Sequence, residues 1–280
     1  PDVCTLRFAL PEGETANHLP GQFHFLTFPN SAVVPAEEHH FTISSSPTLT
    51  GFVESTIKAS GDFTSQVGKI QSGETAIVQG NFGRFSYTLN RNESELVFIA
   101  GGIGITPLMS MLRHMRDIGD ERPVTLIYGN KTEADIVFRS ELDEMQSTQQ
   151  PSLQVVHVLS TPKEPWPGEH GHIDGKLLNR LLGGELMKTG FYLCGPAAMT
   201  GKVVTALRHH KVPRRNIHTE SFSLTEDTAP TSARSIFRKW VTALAIVIAV
   251  VVTVAVAGIR AGGSEASGDG HEHSHSHYSH

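Results

Sequence analysis

Two glycine-bearing loops and two hydroxyl-bearing segments hold most of the residues in this chain that could do chemistry. In Gly101-Gly102-Ile103-Gly104-Ile105-Thr106-Pro107 the glycines let the backbone approach a pyrophosphate, and free amides at the start of a helix favour an anion. Thr106 adds a hydroxyl at that mouth, and Pro107 suits the first helical position, where its missing N–H has no partner to lose. Cys194-Gly195-Pro196-Ala197-Ala198-Met199 is a second loop of the same kind. Phe41-Thr42-Ile43-Ser44 and Gly61-Asp62-Phe63-Thr64 precede them. The four together, in this order, point to a flavin in the first half and a nicotinamide dinucleotide in the second. A hydride would enter from the nicotinamide, and electrons would leave from the flavin.

The elements that must position these residues fall into two patterns. Residues 3–8, 22–28, 41–45, 52–58 and 75–79 read as short strands separated by Gly, Pro and Asn, which predicts a small antiparallel barrel, of a six-stranded type. Beyond it, strands at 96–100, 124–128, 153–159, 191–194 and 217–220 alternate with helices at 106–118, 134–146, 177–182 and 197–210. That alternation predicts a doubly wound parallel sheet with helices on both faces, so the fold class is β followed by α/β. Ligands bind at the carboxyl ends of such strands, so both glycine loops are expected to face one crevice, with Cys194 near the nicotinamide ring. The other reading of Cys194 is a buried structural thiol, the commoner state of cysteine. The expected domains are 1–92 (flavin barrel) and 93–224 (nucleotide domain), then a linker at 225–235 containing Pro230.

The 280 residues fit two ordinary domains and an appendix, and a net charge of −5 argues against a nucleic-acid partner. Two cysteines, Cys4 and Cys194, support neither a disulfide framework nor an iron–sulfur spacing. The chain starts inside an apparent strand without Met or signal peptide, so upstream sequence is expected. Residues 240–259 carry no charge and are rich in Val, Ala and Ile; as a helix they span about 30 Å, the thickness of a bilayer core. A single membrane helix over 236–260 is therefore expected, rather than a core helix, because the run has no polar face. It holds no His or Met for haem, so it can only anchor. Arg234, Arg238 and Lys239 precede it against Arg260 after it, which places the catalytic part in the cytoplasm. The 261–280 tail reads as disordered; its His271, His273, His275 and His277 have the density to bind Zn, Ni or Cu, or are simply a biased composition.

The order and wording of these motifs resemble the ferredoxin–NADP reductase superfamily over nearly all of residues 1–224. Glu38-His39-His40-Phe41-Thr42-Ile43-Ser44-Ser45 and Ile57-Lys58-Ala59-Ser60-Gly61-Asp62-Phe63-Thr64 most resemble its ferric reductase and NADPH oxidase branch. The resemblance implies an FAD-binding barrel and an NAD(P)-binding domain. Phe41 would stack on the isoalloxazine, Thr42 would hydrogen-bond near flavin N5, and Gly61 and Thr64 would hold the FAD pyrophosphate. His39 stands where Arg is usual and His40 where Pro is usual; a neutral His is a weaker phosphate partner than Arg. Ile43, Ile57, Lys58 and Phe63 fall inside the same motifs. Glu220 and Phe222 match an ending in which the Glu assists at the nicotinamide and the aromatic covers the other flavin face. Lys131, after the second nucleotide-domain strand, leans toward the 2′-phosphate of NADP over NAD, with Glu133 and Asp135 against it. The implied electron acceptor is a one-electron carrier, iron–sulfur or haem. Two alternatives remain: a ferric-reductase-like protein with haem helices upstream, and a non-enzymatic metal-binding membrane protein on this fold.

Overall fold

A computed structural model of the chain describes residues 2–14, 16–182 and 186–221. Phe222, the linker, the expected membrane span at 236–260 and the histidine tail lie outside the described residues. Among the described residues no helix is long and apolar enough to cross a membrane, and no cluster of His, Cys, Asp or Glu is arranged to hold a metal.

The first half is antiparallel. Strand β1 (Val3–Ala9) pairs with β4 (Phe52–Lys58), and β2 (Phe23–Thr27) lies between β3 (His39–Thr42) and β5 (Ile77–Phe82). A short helix, α1 (Asp62–Val67), follows β4. Leu26, Phe28, Val34, Ile57, Phe63 and Val67 close its core. The six-stranded expectation is corrected to five strands in two sheets among the described residues. β5 is an edge strand, exposed along its whole length, with Ile77 and Phe82 about half exposed.

The second half is a six-stranded parallel sheet, in the order β11-β10-β6-β7-β8-β9. Its strands are β6 (Glu95–Gly101), β7 (Val124–Asn130), β8 (Leu153–Leu159), β9 (Glu169–His170), β10 (Thr189–Cys194) and β11 (Ile217–Glu220). Side chains alternate across a strand, so Leu96, Phe98 and Ala100 pack on one face, with α2 (Ile105–Ile118) and α3 (Arg139–Thr148). Val97 and Ile99 pack on the other, with α4 (Gly175–Leu181) and α5 (Ala197–His209). From β6 the chain winds outward to β9, then returns to the other side of β6 as β10. The strand order therefore reverses between β6 and β10, and such a switch point opens a crevice at the carboxyl ends of the strands.

The helix expected at 134–146 is also corrected. A 3₁₀ turn spans Glu133–Asp135, Phe138 takes a left-handed φ of 59°, and the α-helix starts at Arg139. The Asp135 carboxylate accepts from the Thr132 amide (2.9 Å) and hydroxyl (2.6 Å), and the Val137 amide donates to Tyr128 Oη at 3.3 Å. These bonds hold the chain out of helical geometry for one extra turn.

Candidate active site

The two glycine loops meet at the switch point. A Cβ added to Gly104 would stand 2.3 Å from the Cys194 carbonyl oxygen and 2.8 Å from the Gly195 nitrogen, so only glycine lets them touch. Above this contact opens a crevice of ≈ 450 Å³, within the usual size of a small-molecule site. Its walls include Gly101, Gly102, Lys131, Pro196 and Met199 from the predicted set, and also Gly129, Asn130, Ser160, Ile173, Ala198 and Lys202. Lys58, expected beside the flavin, stands in the same wall; it is exposed at the end of β4. Three lysines against one carboxylate, Asp135, among the described lining residues suit a phosphate-bearing ligand.

Three expectations change at this loop. Pro107 is the third residue of α2, not the first. It still loses no bond, because the first turn has no amide partners within the helix. Thr106 is 1% exposed, and its hydroxyl donates to the Ile103 carbonyl at 3.0 Å. That is the carbonyl four residues before Pro107, which has no N–H to offer, so the hydroxyl caps the backbone instead of facing the crevice. Cys194 is fully buried, because β10 alternation turns it with Tyr192 into the core under α2. Burial first, and the Glu220 charge second, hold its thiol well above the ordinary range. Cys194 does not line the crevice; its carbonyl packs against Gly104 beside it.

Glu220 pairs across the ladder with Cys194 at the ends of β11 and β10. Its Oε2 is buried without a hydrogen-bond partner among the described residues, and burial pushes its pKa up to about 7. A Cβ added to Gly83 would lie 3.6 Å from Glu220 Oε1 and 3.3 Å from the Phe23 ring. Glu220 therefore sits where the sheet abuts the barrel.

On the barrel the first-half motifs also converge. His39 stacks on Phe63 with ring centroids 3.8 Å apart, and Phe41 lies 6.4 Å from Phe63 at an interplanar angle of 21°. Phe41 is half-buried, so part of its ring is open to another ring system, while Thr42 is buried at the end of β3. His39 Nε2 is 3.3 Å from Glu37, which competes with any phosphate for it. Ile43, just after β3, and Ile57, in β4, are 0% and 3% exposed, and Ile57 packs in the barrel core, so their side chains do not face an open site. The Thr64 hydroxyl accepts from the amides of Ser60 (2.9 Å) and Gly61 (3.0 Å). The Gly61 amide is thus engaged within the turn, since glycine as N-cap has no side chain and the third helical residue reaches back.

Residues 98–205 match the oxidoreductase NAD-binding domain family. NADH-cytochrome b5 reductase 1 of Debaryomyces hansenii is 32% identical over 204 residues, covering 71% of this chain and 70% of the relative. The reductase component of propane 2-monooxygenase from Mycolicibacterium goodii is 30% identical, over 79% of this chain and 64% of the relative. The solved CS-b5R domains of human Ncb5or, in the NAD+ form, superpose with a TM-score of 0.67 at 28% identity, covering 78% of this chain and 65% of that one. The chain belongs to the ferredoxin–NADP reductase superfamily. As a member it is an NAD(P)H-dependent FAD oxidoreductase.

For a superfamily reductase the residues present fit both coenzymes. The cationic crevice on a glycine floor suits a dinucleotide, and the half-open Phe41 ring suits an isoalloxazine. Sequence reasoning missed Phe23 and Gly83 at the junction and Lys202 in the crevice wall. The glycines at 80 and 83, around Phe82, were a readable signal for the first two; nothing local marks Lys202 among the surface lysines.

Proposed function

We propose that this chain takes a hydride from NAD(P)H in the switch-point crevice onto FAD held by the barrel, and hands electrons singly to a haem or iron–sulfur carrier. The coenzymes supply the redox chemistry when bound; the protein's residues supply place and charge. The observation that carries the reading is that the two glycine loops, packed together at Gly104 and Cys194–Gly195, both line one crevice through Gly101, Gly102, Pro196 and Met199, with Glu220 near Gly83 of the barrel. Gly101, Gly102 and Gly195 let a pyrophosphate approach, and Lys58, Lys131 and Lys202 balance its charge. Phe41 offers a stacking face, Thr42 a hydroxyl at the strand end, and His39 a ring donor. Glu220, with a pKa near neutrality, can hold or release a proton next to the junction.

Lys131 in the crevice wall, with Asp135 tied to Thr132, favours a 2′-phosphate; the Debaryomyces relative is named for NADH. Cytochrome b5 is the acceptor suggested by that name. Anchoring through 236–260 rests on the uncharged run alone, and the ferric reductase branch on the His39–Ser45 wording. The test is an anaerobic titration of the purified yellow protein with NADH and with NADPH, followed by cytochrome b5 or an Fe(III) chelate. Bleaching by either nucleotide and reoxidation by the cytochrome are expected. A protein that takes up no FAD would end this reading, and faster turnover with Fe(III) would favour the ferric reductase alternative.

A further inference from the structure

Along α2, Ser110, Arg113 and Asp117 share one face, and each bonds the segment that follows β3. Ser110 Oγ donates to the Ser45 carbonyl at 2.7 Å, Arg113 Nη1 to the Ser44 carbonyl at 2.7 Å, and Thr48 Oγ1 to the Asp117 carboxylate. Arg113 does more than its neighbours. Its Nε and Nη2 fork onto Glu141 of α3 at 2.9 and 2.7 Å, its Nη1 is 3.7 Å from Glu54 of β4, and its guanidinium lies 5.0 Å from the Phe138 ring centre. The side chain is 13% exposed. One residue thus ties the barrel, the nucleotide-loop helix and α3 together.

These bonds have a direction that bears on the reaction. α2 opens directly from the Gly101–Gly104 turn, and Arg113 is nine residues on, roughly 13 Å along the axis at 1.5 Å per residue. Ser44 is two residues after Thr42, whose strand carries the flavin-side motif. A stiff helix therefore links the nucleotide loop to the flavin strand, and Arg113 is the bolt at the far end. We infer that Arg113 is a positioning residue for hydride transfer, setting the offset between the two coenzyme sites. The inference rests on the flavin reductase reading above. Lysine retains the charge but cannot fork onto Glu141 while bonding Ser44.

The test uses the full chain loaded with FAD and mixed rapidly with the nucleotide that bleaches it. Displacing reacting groups by about 1 Å costs up to about 100-fold, so Arg113→Lys is expected to slow the limiting bleaching rate by at least about tenfold. Half-saturating nucleotide should change by less than about twofold, and FAD occupancy should be full. Ser110→Ala removes one bond without stranding a charge; a fall of about two- to fivefold is expected, and this variant carries the test if Arg113→Lys does not fold. A limiting rate equal to wild type in a variant that folds and holds FAD overturns the inference, as does a fall matched by lost flavin. A wild-type chain that never bleaches overturns the flavin reductase reading itself, and this inference with it.

Discussion

The nucleotide half and the barrel half build their candidate sites differently. In the nucleotide half the site is backbone: Gly101, Gly104 and Gly195 come together because a parallel sheet puts all its strand ends on one side. In the barrel half the candidate site is side chains: His39, Phe41 and Phe63 form one aromatic group on an antiparallel framework whose edge strand, β5, stays exposed. A backbone site tolerates almost no added atom. A side-chain site loses affinity by degrees.

The largest effect expected from that contrast is at Gly104. Its φ is −62°, so the conformation suits any residue, and only the 2.3 Å approach to the Cys194 carbonyl forbids a side chain. Gly104→Ala should cut nucleotide-dependent bleaching by at least ~100-fold or prevent folding. Gly102→Ala, at φ +54° with no protein atom within 4 Å of the added carbon, should fold at a cost of about 1–2 kcal/mol of stability by denaturant titration. Equal effects at the two positions would break the claim of a backbone-built floor.

Next is Glu220. Its folded pKa of about 7 lies above the ordinary 4.5, so the folded chain binds more protons across that window and stability declines as pH rises from 4.5 to 7. Glu220→Gln should therefore stabilise the FAD-free chain at pH 8.5 by about 3 kcal/mol and leave it nearly unchanged at pH 4.5. A pH-independent difference would contradict the burial of that carboxylate. Phe41→Ala removes a stacking face and should weaken FAD about 10- to 30-fold, with nucleotide-domain stability unmoved in hydrogen exchange. The smallest effect is at Lys131, an exposed side chain: Lys131→Ala should raise the half-saturating NADPH about fivefold and leave NADH alone. A loss shared equally by both nucleotides would show that Lys131 reads a group common to both, such as the pyrophosphate.

Much of the fold was legible. The strands at 52–58, 153–159 and 217–220 have the bounds their apolar pattern predicts, and the helix expected at 197–210 ends one residue early. What failed was decided by contacts distant in sequence or by capping. Asp135 and Thr132 delay α3, a local bond that periodicity does not register. Thr106 looks like a ligand hydroxyl because its type and place are right, and only Pro107's missing amide reveals why it turns to Ile103. Arg113 was one of two arginines on an amphipathic helix; its partners stand 28, 59 and 69 positions away.

Sequence alone determined the two-part architecture and the position of the glycine loops at the strand ends, because glycine placement and strand–helix alternation are local properties of a chain. Only the tertiary structure decided which side chains face the crevice, that the Cys194 side chain and a Glu220 carboxylate oxygen are buried, and that one arginine bonds residues of both halves. Burial and long-range hydrogen bonds exist only once distant segments pack, and no spacing along the chain encodes them.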